Sequence, residues 1–366
     1  MHKFIIRGNK NGIPFFKVSD MNRIENVPVM KIANNYVDEN ILKNEIKAFI
    51  FDEETVIFPK VGKAIDTNKK RILGTKASID NNTMGMIITD KSKLHFKYLY
   101  EYFDNFINLL DIASSANPPS ISATNLNEVK IPLPPLEIQE EIVKECQKVD
   151  DEVSKANEII EQSKQNIENE INFVNDKKIK LSTIAIMNPS KREISDIDEN
   201  TVVSFVEMAS VSNDGFIETK VDKILKDLKK GSFTYFAEND IIIAKITPSM
   251  ENGKCAIAYN LTNNLGMGSS EFHVIRVKEE INNKYLFSYL NREIIRNEAE
   301  KQMTGASGHR RVPSSFYENL QIPLPPLETQ KEIVSRIEKL ENNINEAKKI
   351  VDNAKGKKEE ILKKYL

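Results

Sequence analysis

The sequence contains no tryptophan, only two cysteines and only four histidines among its 366 residues. Two cysteines cannot form a disulfide framework or a four-cysteine zinc site, and the histidines have no HExxH spacing. No apolar run approaches the roughly 18 residues that a membrane-spanning helix needs. The first residues lack the apolar core of a signal peptide, so we expect a cytoplasmic protein.

Motifs of common enzymes are also missing from the sequence. There is no GxxxxGK[ST] phosphate loop, and no GxGxxG follows a predicted strand. The tetrapeptide NPPS at residues 117–120 resembles the NPP-aromatic motif of amino-methyltransferases, but Ser120 replaces the aromatic residue that stacks on a flipped base. The triplet ETK at residues 218–220 fits a metal nuclease, yet E-x-K triplets are common in chains rich in lysine and glutamate. We therefore expect a non-catalytic chain.

The chain contains a long internal repeat. The heptapeptide IPLPPLE occurs at residues 131–137 and again at residues 322–328, and eleven of thirteen positions match between residues 131–143 and 322–334. Weaker similarity precedes both copies, between KYLY at residues 97–100 and KYLF at residues 284–287. A repeat of this length is too long for a solenoid, so it predicts two tandem copies of one domain.

A long amphipathic pattern follows each Pro-Pro pair. Apolar residues recur four and three positions apart over residues 142–174 and 333–365, as in a heptad seam. Proline is tolerated in the first turn of a helix, so Pro134-Pro135 and Pro325-Pro326 predict helix starts. A helix with a narrow apolar stripe needs a partner stripe. Because a domain separates the two helices, we expect them to form an antiparallel pair within one chain; a dimerisation coiled coil is the alternative.

The segments outside these helices mix short strands with a few helices. Strand-like alternation is present at residues 55–60, 202–206, 240–245 and 272–277, and helical patterns at residues 97–110 and 285–301. The predicted fold class is therefore α+β, with two similar globular domains joined and spaced by two long helices that form an antiparallel coiled coil. We place the first domain at residues 1–135, the central helical spacer at 136–178, the second domain at 179–326 and the C-terminal helical spacer at 327–366.

The net charge of −2 gives no general affinity for nucleic acid, so any such affinity must come from local patches. The clearest patch is a run of basic residues between positions 60 and 76 that contains a single acid, Asp66. A solvated face is the alternative interpretation of this run. The run predicts phosphate contacts from Lys60, Lys63, Lys69, Lys70, Arg71 and Lys76. We predict further contacts from Asn117 and Ser120, which lie where the second copy has an arginine-containing loop at residues 304–311.

The second copy has a loop of unusual composition at residues 304–311, TGASGHRR. Glycine lets backbone N–H groups approach phosphate oxygens, and arginine can bond guanine with two parallel hydrogen bonds. An exposed loop with ordinary solvated arginines is the alternative. Other polar segments adjoin predicted strands, where binding residues are common. The predicted DNA contacts of this copy are Thr304, Ser307, His309, Arg310 and Arg311, with Lys245, Thr247, Ser249, Lys254, Ser269 and Ser270.

In combination these features resemble the specificity subunits of type I restriction–modification systems. The resemblance rests on the two IPLPPLExQxEIV copies that lead into long helices, on FAENDIIIAKITP at residues 236–248, on ENGK at 251–254, on GSSEFH at 268–273, and on MTG and RVP at 303–305 and 311–313. It covers essentially the whole chain. The resemblance implies two target-recognition domains, each of which reads one half of a split DNA sequence, held apart by the two helical regions.

The resemblance also implies partners. Two adenine methyltransferase (modification) subunits and restriction or translocase subunits would dock on the chain, and S-adenosylmethionine, ATP and magnesium would be bound by those partners, with no cofactor in this chain. Residues 1–12 stand where the second copy has residues 179–201, so we expect a first domain that is short at its N-terminus. Either its fold is incomplete or the C-terminal helix completes it. The alternatives are a type II specificity subunit, a non-DNA two-domain coiled-coil scaffold and a stand-alone methyltransferase.

Overall fold

The computed structural model describes residues 6–7, 12–172, 174, 177–306 and 308–366 of the chain. The chain forms two compact units. Unit 1 contains residues 1–158 and 347–366, and unit 2 contains residues 159–346. Each unit therefore includes part of both long helices, whereas the boundaries drawn from the sequence follow the predicted helix ends.

The described strands of unit 1 form two four-stranded sheets. They are β1 (Ile6–Arg7), β2 (Ile13–Phe16), β3 (Val29–Met30), β4 (Asn35–Val37), β5 (Val56–Pro59), β6 (Arg71–Leu73), β7 (Ser78–Ile79) and β8 (Thr83–Met86). The strand orders are β1-β4-β2-β7 and β3-β6-β5-β8. All residues of β5 are buried. Its β-branched and aromatic side chains suit a strand with a neighbour on each side.

The helices of unit 1 follow these sheets in the chain. They are α1 (Phe96–Phe106), α2 (Ala123–Asn127) and the first part of α3 (Leu136–Asn172). His95 caps α1, because its Nδ1 accepts a hydrogen bond from the backbone N–H of Lys97 at 3.2 Å. Tyr98 and Phe103 lie fully buried on the inner face of α1. Single turns of 3₁₀ or π helix occupy Val18–Asn22, Ile24–Asn26, Ile41–Ile46 and Gly62–Thr67.

Unit 2 begins within α3, at residue 159, and ends within the last helix, at residue 346. Its described elements are β9 (Lys178–Lys180), α4 (Leu181–Ile184), β10 (Ala185–Met187), β11 (Val202–Val206), β12 (Val221–Ile224), α5 (Leu225–Lys229), β13 (Thr234–Ala237), β14 (Ile241–Ala244), β15 (Cys255–Ile257), β16 (Leu265–Gly268), β17 (Phe272–Val277), α6 (Asn283–Leu290), α7 (Glu293–Lys301), α8 (Ser314–Asn319), β18 (Gln321–Pro323) and α9 (Leu327–Tyr365). Turns of 3₁₀ helix lie at Lys191–Ile194, Met208–Ser210 and Thr262–Asn264. The sheets have the orders β12-β11-β16-β13 and β10-β17-β14-β15, with a separate pair β18-β9.

The two units share several strand pairings, as the internal repeat predicts. Strands β11 and β16 are parallel in unit 2, as β2 and β7 are in unit 1. Strand β14 pairs antiparallel with β17, as β5 pairs with β8. The α+β class with two similar domains is therefore confirmed.

The two long helices run antiparallel. In unit 1, Glu145 of α3 pairs with Lys364 of α9 at 3.2 Å and Glu152 pairs with Lys357 at 3.0 Å. The residue that comes later in α3 pairs with the residue that comes earlier in α9, as in an antiparallel pair. The predicted intramolecular pair is therefore confirmed. In unit 2, Ile171 of α3 packs in one cluster with Ile333 and Ile337 of α9. None of the helices in the described part of the chain is long and apolar enough to cross a membrane.

Three local predictions about helices need correction. The pattern at residues 97–110 predicts a helix that continues to residue 110, but α1 ends at Phe106. The pattern at residues 285–301 predicts one helix, but α6 ends at Leu290 and α7 begins at Glu293. The buried Arg292 turns back at this break, because its Nε donates to the carbonyl of Tyr289 at 3.1 Å. The heptad spacing of residues 333–365 predicts Ile361 as a seam residue of α9, but the structure buries its neighbour Leu362 fully and Ile361 only partly.

Candidate nucleic-acid interface

Each unit holds two polar loops side by side by the same backbone hydrogen bonds. In unit 1 the loop after β5 is bonded to the segment around Ser120. The backbone N–H of Ile121 donates to the carbonyl of Lys60 at 2.8 Å, and the N–H of Gly62 donates to the carbonyl of Pro119 at 2.9 Å. In unit 2 the loop after β14 is bonded to the arginine loop in the same way. The backbone N–H of Val312 donates to the carbonyl of Lys245 at 2.9 Å, and the N–H of Thr247 donates to the carbonyl of Arg310 at 3.1 Å. The structure therefore brings together residues that are about 60 positions apart in the sequence, in both copies alike.

The arginine loop of unit 2 is a small hairpin. Thr304 and Arg311 exchange backbone hydrogen bonds of 3.0 and 2.8 Å. Gly305 has a φ of 121°, and a Cβ there would lie 2.8 Å from the carbonyl oxygen of His309, so the turn requires glycine. His309 is exposed at the tip. The predicted contact Ser307 lies outside the described residues.

The two arginines of this loop are held by carboxylates on neighbouring segments. Arg311 forms a two-point pair with Glu271, with Nε–Oε2 and Nη2–Oε1 distances of 2.8 Å. The guanidinium of Arg311 lowers the pKa of Glu271, and Glu271 raises the pKa of Arg311. The Nη2 of Arg310 lies 3.4 Å from Glu300 and 3.7 Å from Glu251. The side chain of Arg311 is 44% exposed, so a phosphate or a base edge can reach its guanidinium and replace the carboxylate as partner.

The other predicted residues of unit 2 take different places. Lys245 lies next to the arginine loop, and its backbone N–H donates to the carbonyl of Glu271 at 2.9 Å. Thr247 donates its hydroxyl to Glu251. Lys254 instead ties down the turn after β11, since its Nζ donates to the carbonyls of Met208 and Val211 at 3.0 and 2.9 Å. Three serines complete the region, and all are partly buried: Ser249, Ser269 and Ser270.

The basic run of unit 1 is distributed over three places. Lys60 and Lys63 lie on the loop that contacts the segment of Asn117 and Ser120, and both Lys63 and Asn117 are exposed. Lys76 lies apart from them, where it pairs with Glu39 at 3.2 Å.

Of the other three basic side chains of the run, two bind backbone carbonyls and one binds a side chain. Lys70 is fully buried, and its Nζ donates to the carbonyl of Ile107 at 2.6 Å and to Asn68 at 2.9 Å. Burial lowers the pKa of Lys70 to about 8. Lys69 donates to the side chain of Asn22, and Arg71 donates to the carbonyl of Met21 at 3.0 Å. Lys70 therefore supports the fold and does not face a ligand.

Sequence reasoning missed a polar cluster beside Lys69 and Arg71. The Nη1 of Arg23 donates to Asn34 at 2.7 Å, while the Nε of Arg23 is buried without a hydrogen-bond partner among the described residues. The neighbouring Ile24 is 85% exposed. The available signal was the polar pair Asn22-Arg23, but no strand was predicted before it that would have marked the pair as part of a binding loop. This signal is weak because Lys69 and Arg71, which lie beside the pair in the fold, are nearly 50 positions further along the chain.

Comparison with protein families shows the family to which the chain belongs. The family model described as the type I restriction modification DNA specificity domain matches residues 4–169 and again residues 174–352. The chain belongs to this family. The resemblance drawn from the repeated motifs is therefore confirmed, and the family's double match coincides with the internal repeat.

Individual members of the family show the extent of the similarity. The chain is 44% identical over 163 residues to the type I restriction enzyme EcoAI specificity subunit of Escherichia coli, a match that covers 44% of this chain and 27% of that relative. The chain thus spans only about a quarter of that relative's length.

Two solved structures share the fold over nearly the whole chain. One, from work on complex assembly and conformational transition of the type I R-M system, has a TM-score of 0.53 at 12% identity and covers 98% of this chain and 94% of its own. The other, the type I restriction-modification system S subunit from M. genitalium, has a TM-score of 0.50 at 12% identity, with coverage of 100% and 91%.

Proposed function

We propose that the chain is the DNA sequence-specificity subunit of a type I restriction–modification enzyme. Each unit would bind one half of a bipartite target in duplex DNA through its pair of hydrogen-bonded loops. The observation that carries this proposal is the occurrence of the same loop pair in both units, at Lys60 and Ile121 and at Lys245 and Val312. A protein with two copies of one binding site suits a target with two parts.

The residues on these loops have the chemistry for both tasks of DNA recognition. The ammonium groups of Lys60, Lys63 and Lys245 would bind phosphates and provide affinity that depends on salt. The amide of Asn117 and the guanidinium of Arg311 can form two-point hydrogen bonds with base edges and so select sequence. Lys70 and Lys254 are excluded from the proposed contacts, because their ammonium groups already bind backbone carbonyls.

The catalytic chemistry would belong to other chains. We propose that two adenine methyltransferase subunits and restriction or translocase subunits dock on this chain in the cytoplasm. S-adenosylmethionine, ATP and magnesium would be bound by those partners. The chain's similarity to the type I restriction enzyme EcoAI specificity subunit, and to a solved structure from work on complex assembly of the type I R-M system, supports this proposal.

Methylome sequencing of the host with and without the gene tests the proposal. We expect a two-part motif with methylated adenines that disappears when the gene is deleted. Replacement of Arg310 and Arg311 by alanine should relax one half of the motif and leave the other half unchanged. Arg192, an exposed arginine outside the loops, supplies the matched control R192A. A motif that survives deletion, or that is unchanged in the double variant, would contradict the proposal.

A further inference from the structure

The turn before β8 in unit 1 and the turn before β17 in unit 2 lie beside the polar loops. In unit 1 the backbone N–H of Lys60 donates to the carbonyl of Asn82 at 2.8 Å, and in unit 2 that of Lys245 donates to the carbonyl of Glu271 at 2.9 Å. The strand register of β5 with β8 and that of β14 with β17 give the same correspondence. Asn82 and Glu271 therefore occupy equivalent positions in the two copies.

The two turns have the same internal hydrogen bonds. In unit 1 the N–H of Asn82 donates to the side chain of Asp80 at 3.2 Å, and the N–H of the next residue donates to the carbonyl of Asp80 at 3.2 Å. In unit 2 Glu271 and the next residue donate in the same way to the side chain and the carbonyl of Ser269, again at 3.2 Å. The turns are therefore held by Asp80 and Ser269, and the side chains of Asn82 and Glu271 are available for other contacts.

A third position completes this group of residues in each unit. Ser120 forms a β-bridge with Val61, as Arg311 does with Ile246. The carbonyl of Ser120 accepts the N–H of the residue that begins its loop at 2.8 Å, and the carbonyl of Arg311 does the same at 3.0 Å. Ser120 therefore lies where the second copy has Arg311, although the two side chains differ in length and charge.

The side chains at these equivalent positions are joined in unit 2 and separate in unit 1. Glu271 binds the guanidinium of Arg311 by two hydrogen bonds of 2.8 Å. In unit 1 the hydroxyl of Ser120 lies 3.2 Å from that of Ser114 in its own loop. The exposed carboxamide of Asn82 has no hydrogen-bond partner in the part of the chain that the structure describes. Unit 1 thus offers a free amide beside its polar loops, where unit 2 offers a guanidinium.

The fold does not require an asparagine at position 82. Asparagine is common in turns whose backbone is left-handed, but the described residues with a positive φ do not include Asn82. Its side chain is not the acceptor that holds the turn, since that acceptor is Asp80. Replacement of Asn82 should therefore leave the fold unchanged, and a change in function would report a contact with a ligand.

This place stays accessible when a strand lies beside the neighbouring sheet edge. In unit 2 β10 pairs with β17 as far as Met187 opposite Ile275, and the side chain of Asn188 then bonds the backbone of Val274. The side chain of Arg311 is nevertheless 44% exposed. Asn82 would therefore be open to a ligand whether or not a strand covers the outer side of β8.

We propose that Asn82 is a specificity-determining residue of unit 1 that selects an A·T base pair, whereas Arg311 selects a G·C pair in unit 2. The carboxamide of asparagine accepts one hydrogen bond and donates another, which matches the N6 amino group and N7 of adenine in the major groove. The guanidinium of arginine matches O6 and N7 of guanine. This inference rests on the proposed DNA binding and extends it, because equivalent places in the two units select different bases in the two half-sites.

Methylome sequencing of hosts that carry single variants in place of the unchanged gene tests this assignment. Asn82→Ala should remove the preference for A·T at one position of the motif, in the half that Arg311→Ala does not affect. Asn82→Arg should shift the preference at that position towards G·C. Asn44→Ala, at an exposed position on the turn Ile41–Ile46 of the same unit, is the control and should leave the motif unchanged.

Binding of the full chain to labelled duplexes measures the size of the effect. A change from A·T to G·C at that position should weaken binding by the unchanged chain about 5- to 150-fold, as expected for the loss of a two-point base contact. The Asn82→Ala variant should bind the two duplexes alike. Its circular dichroism spectrum should equal that of the unchanged chain, because the side chain is exposed.

The results separate this inference from the proposed function. An unchanged motif in Asn82→Ala, a change in the half that depends on Arg311, or equal weakening for every duplex would overturn the inference. If the two-part motif still disappears on deletion of the gene, the proposed function stands in each of those cases. A motif that survives deletion of the gene would overturn both.

Discussion

The side-chain oxygen of Gln139 accepts a hydrogen bond from the backbone N–H of His95 at 2.8 Å. The side-chain nitrogen of Gln139 donates to the carbonyls of Lys93 and Pro134 at 2.7 and 2.8 Å, and the whole side chain is buried. One side chain thus joins the start of α3 to the start of α1.

Gln330 makes the same three contacts in unit 2. It accepts from Asn282 at 2.7 Å and donates to Glu280 and Pro325 at 3.2 and 2.8 Å. The glutamine shared by the two IPLPPLExQ copies therefore fixes a long helix to the domain before it in each unit.

Replacement of Gln139 by alanine should destabilise unit 1 by about 2–4 kcal/mol, because it leaves three backbone groups in a buried place without partners. Urea unfolding followed by the tyrosine signal and circular dichroism would measure the loss. Gln147, an exposed glutamine of the same helix, gives the control Q147A, for which we expect a change below about 0.5 kcal/mol. Equal stability of the two variants would contradict this role for Gln139.

Unit 1 should lose stability as the pH rises from about 4.5 to about 7. Burial raises the pKa of Glu101 from 4.5 to about 7, although Lys358 Nζ lies 3.0 Å away and opposes the shift. Since the folded chain binds this proton more tightly than the unfolded chain, the stabilisation is present at low pH and is lost through this window. Burial also raises the pKa of the nearby Asp104, which acts in the same direction.

The variant Glu101→Gln separates these contributions. Its neutral amide cannot titrate, so the dependence of the unfolding free energy on pH should become flatter by an amount of order 2 kcal/mol over the window. Lys358 keeps Asp150 as a partner at 2.7 Å in this variant. Urea unfolding at four pH values would measure the slope, and an unchanged slope would assign the pH dependence to other groups.

Lys63 should contribute one phosphate contact. Replacement by alanine should reduce the slope of log affinity against log salt by about 1 and weaken binding alike for all DNA sequences. Fluorescence anisotropy titrations at several salt concentrations would give the slope. Lys43, which is 57% exposed in the same unit and pairs with Glu39, supplies the control K43A. An equal change in both variants would indicate a general charge effect only.

The pair of Arg311 and Glu271 predicts two opposite effects on DNA affinity. Arg311→Ala should weaken binding to a duplex with the full target by about 5- to 150-fold, the equivalent of 1–3 kcal/mol for a two-point base contact. Glu271→Gln should strengthen it at low salt, because a negative charge next to the loop is removed and the guanidinium is released. Glu328→Gln, which breaks the exposed pair with Lys331, is the control and should have no effect. Weaker binding by E271Q would show that Glu271 itself contacts DNA.

Much of the fold follows from patterns that lie close together in the sequence. The seam spacing and the Pro-Pro pairs predict both long helices, which begin one residue after the second proline, at Leu136 and Leu327. The prediction for β17 agrees at both ends, and those for β5 and β14 are each one residue too long at either end. These features depend on local periodicity, which a single sequence contains.

The site was harder to predict, because it depends on contacts between distant residues. Composition alone gives Lys70 and Lys63 the same weight, but Lys70 is fully buried, and its ammonium group donates to the carbonyl of Ile107 at the end of α1 and to the side chain of Asn68. Lys254 is likewise taken up by the turn after β11. The cluster of Arg23 and Arg71 was missed for the same reason, since only the folded chain joins its members.

The division of the long helices between the units has a consequence for how this protein can change by recombination. Unit 1 consists of two separate stretches of the chain, residues 1–158 and 347–366. A single crossover between related genes would transfer residues such as Cys146 without their seam partner Leu362. An exchange of unit 1 together with all of its packed neighbours needs two crossovers, one for each stretch. A chimera made by a single crossover should therefore pair α3 residues from one parent with α9 residues from the other.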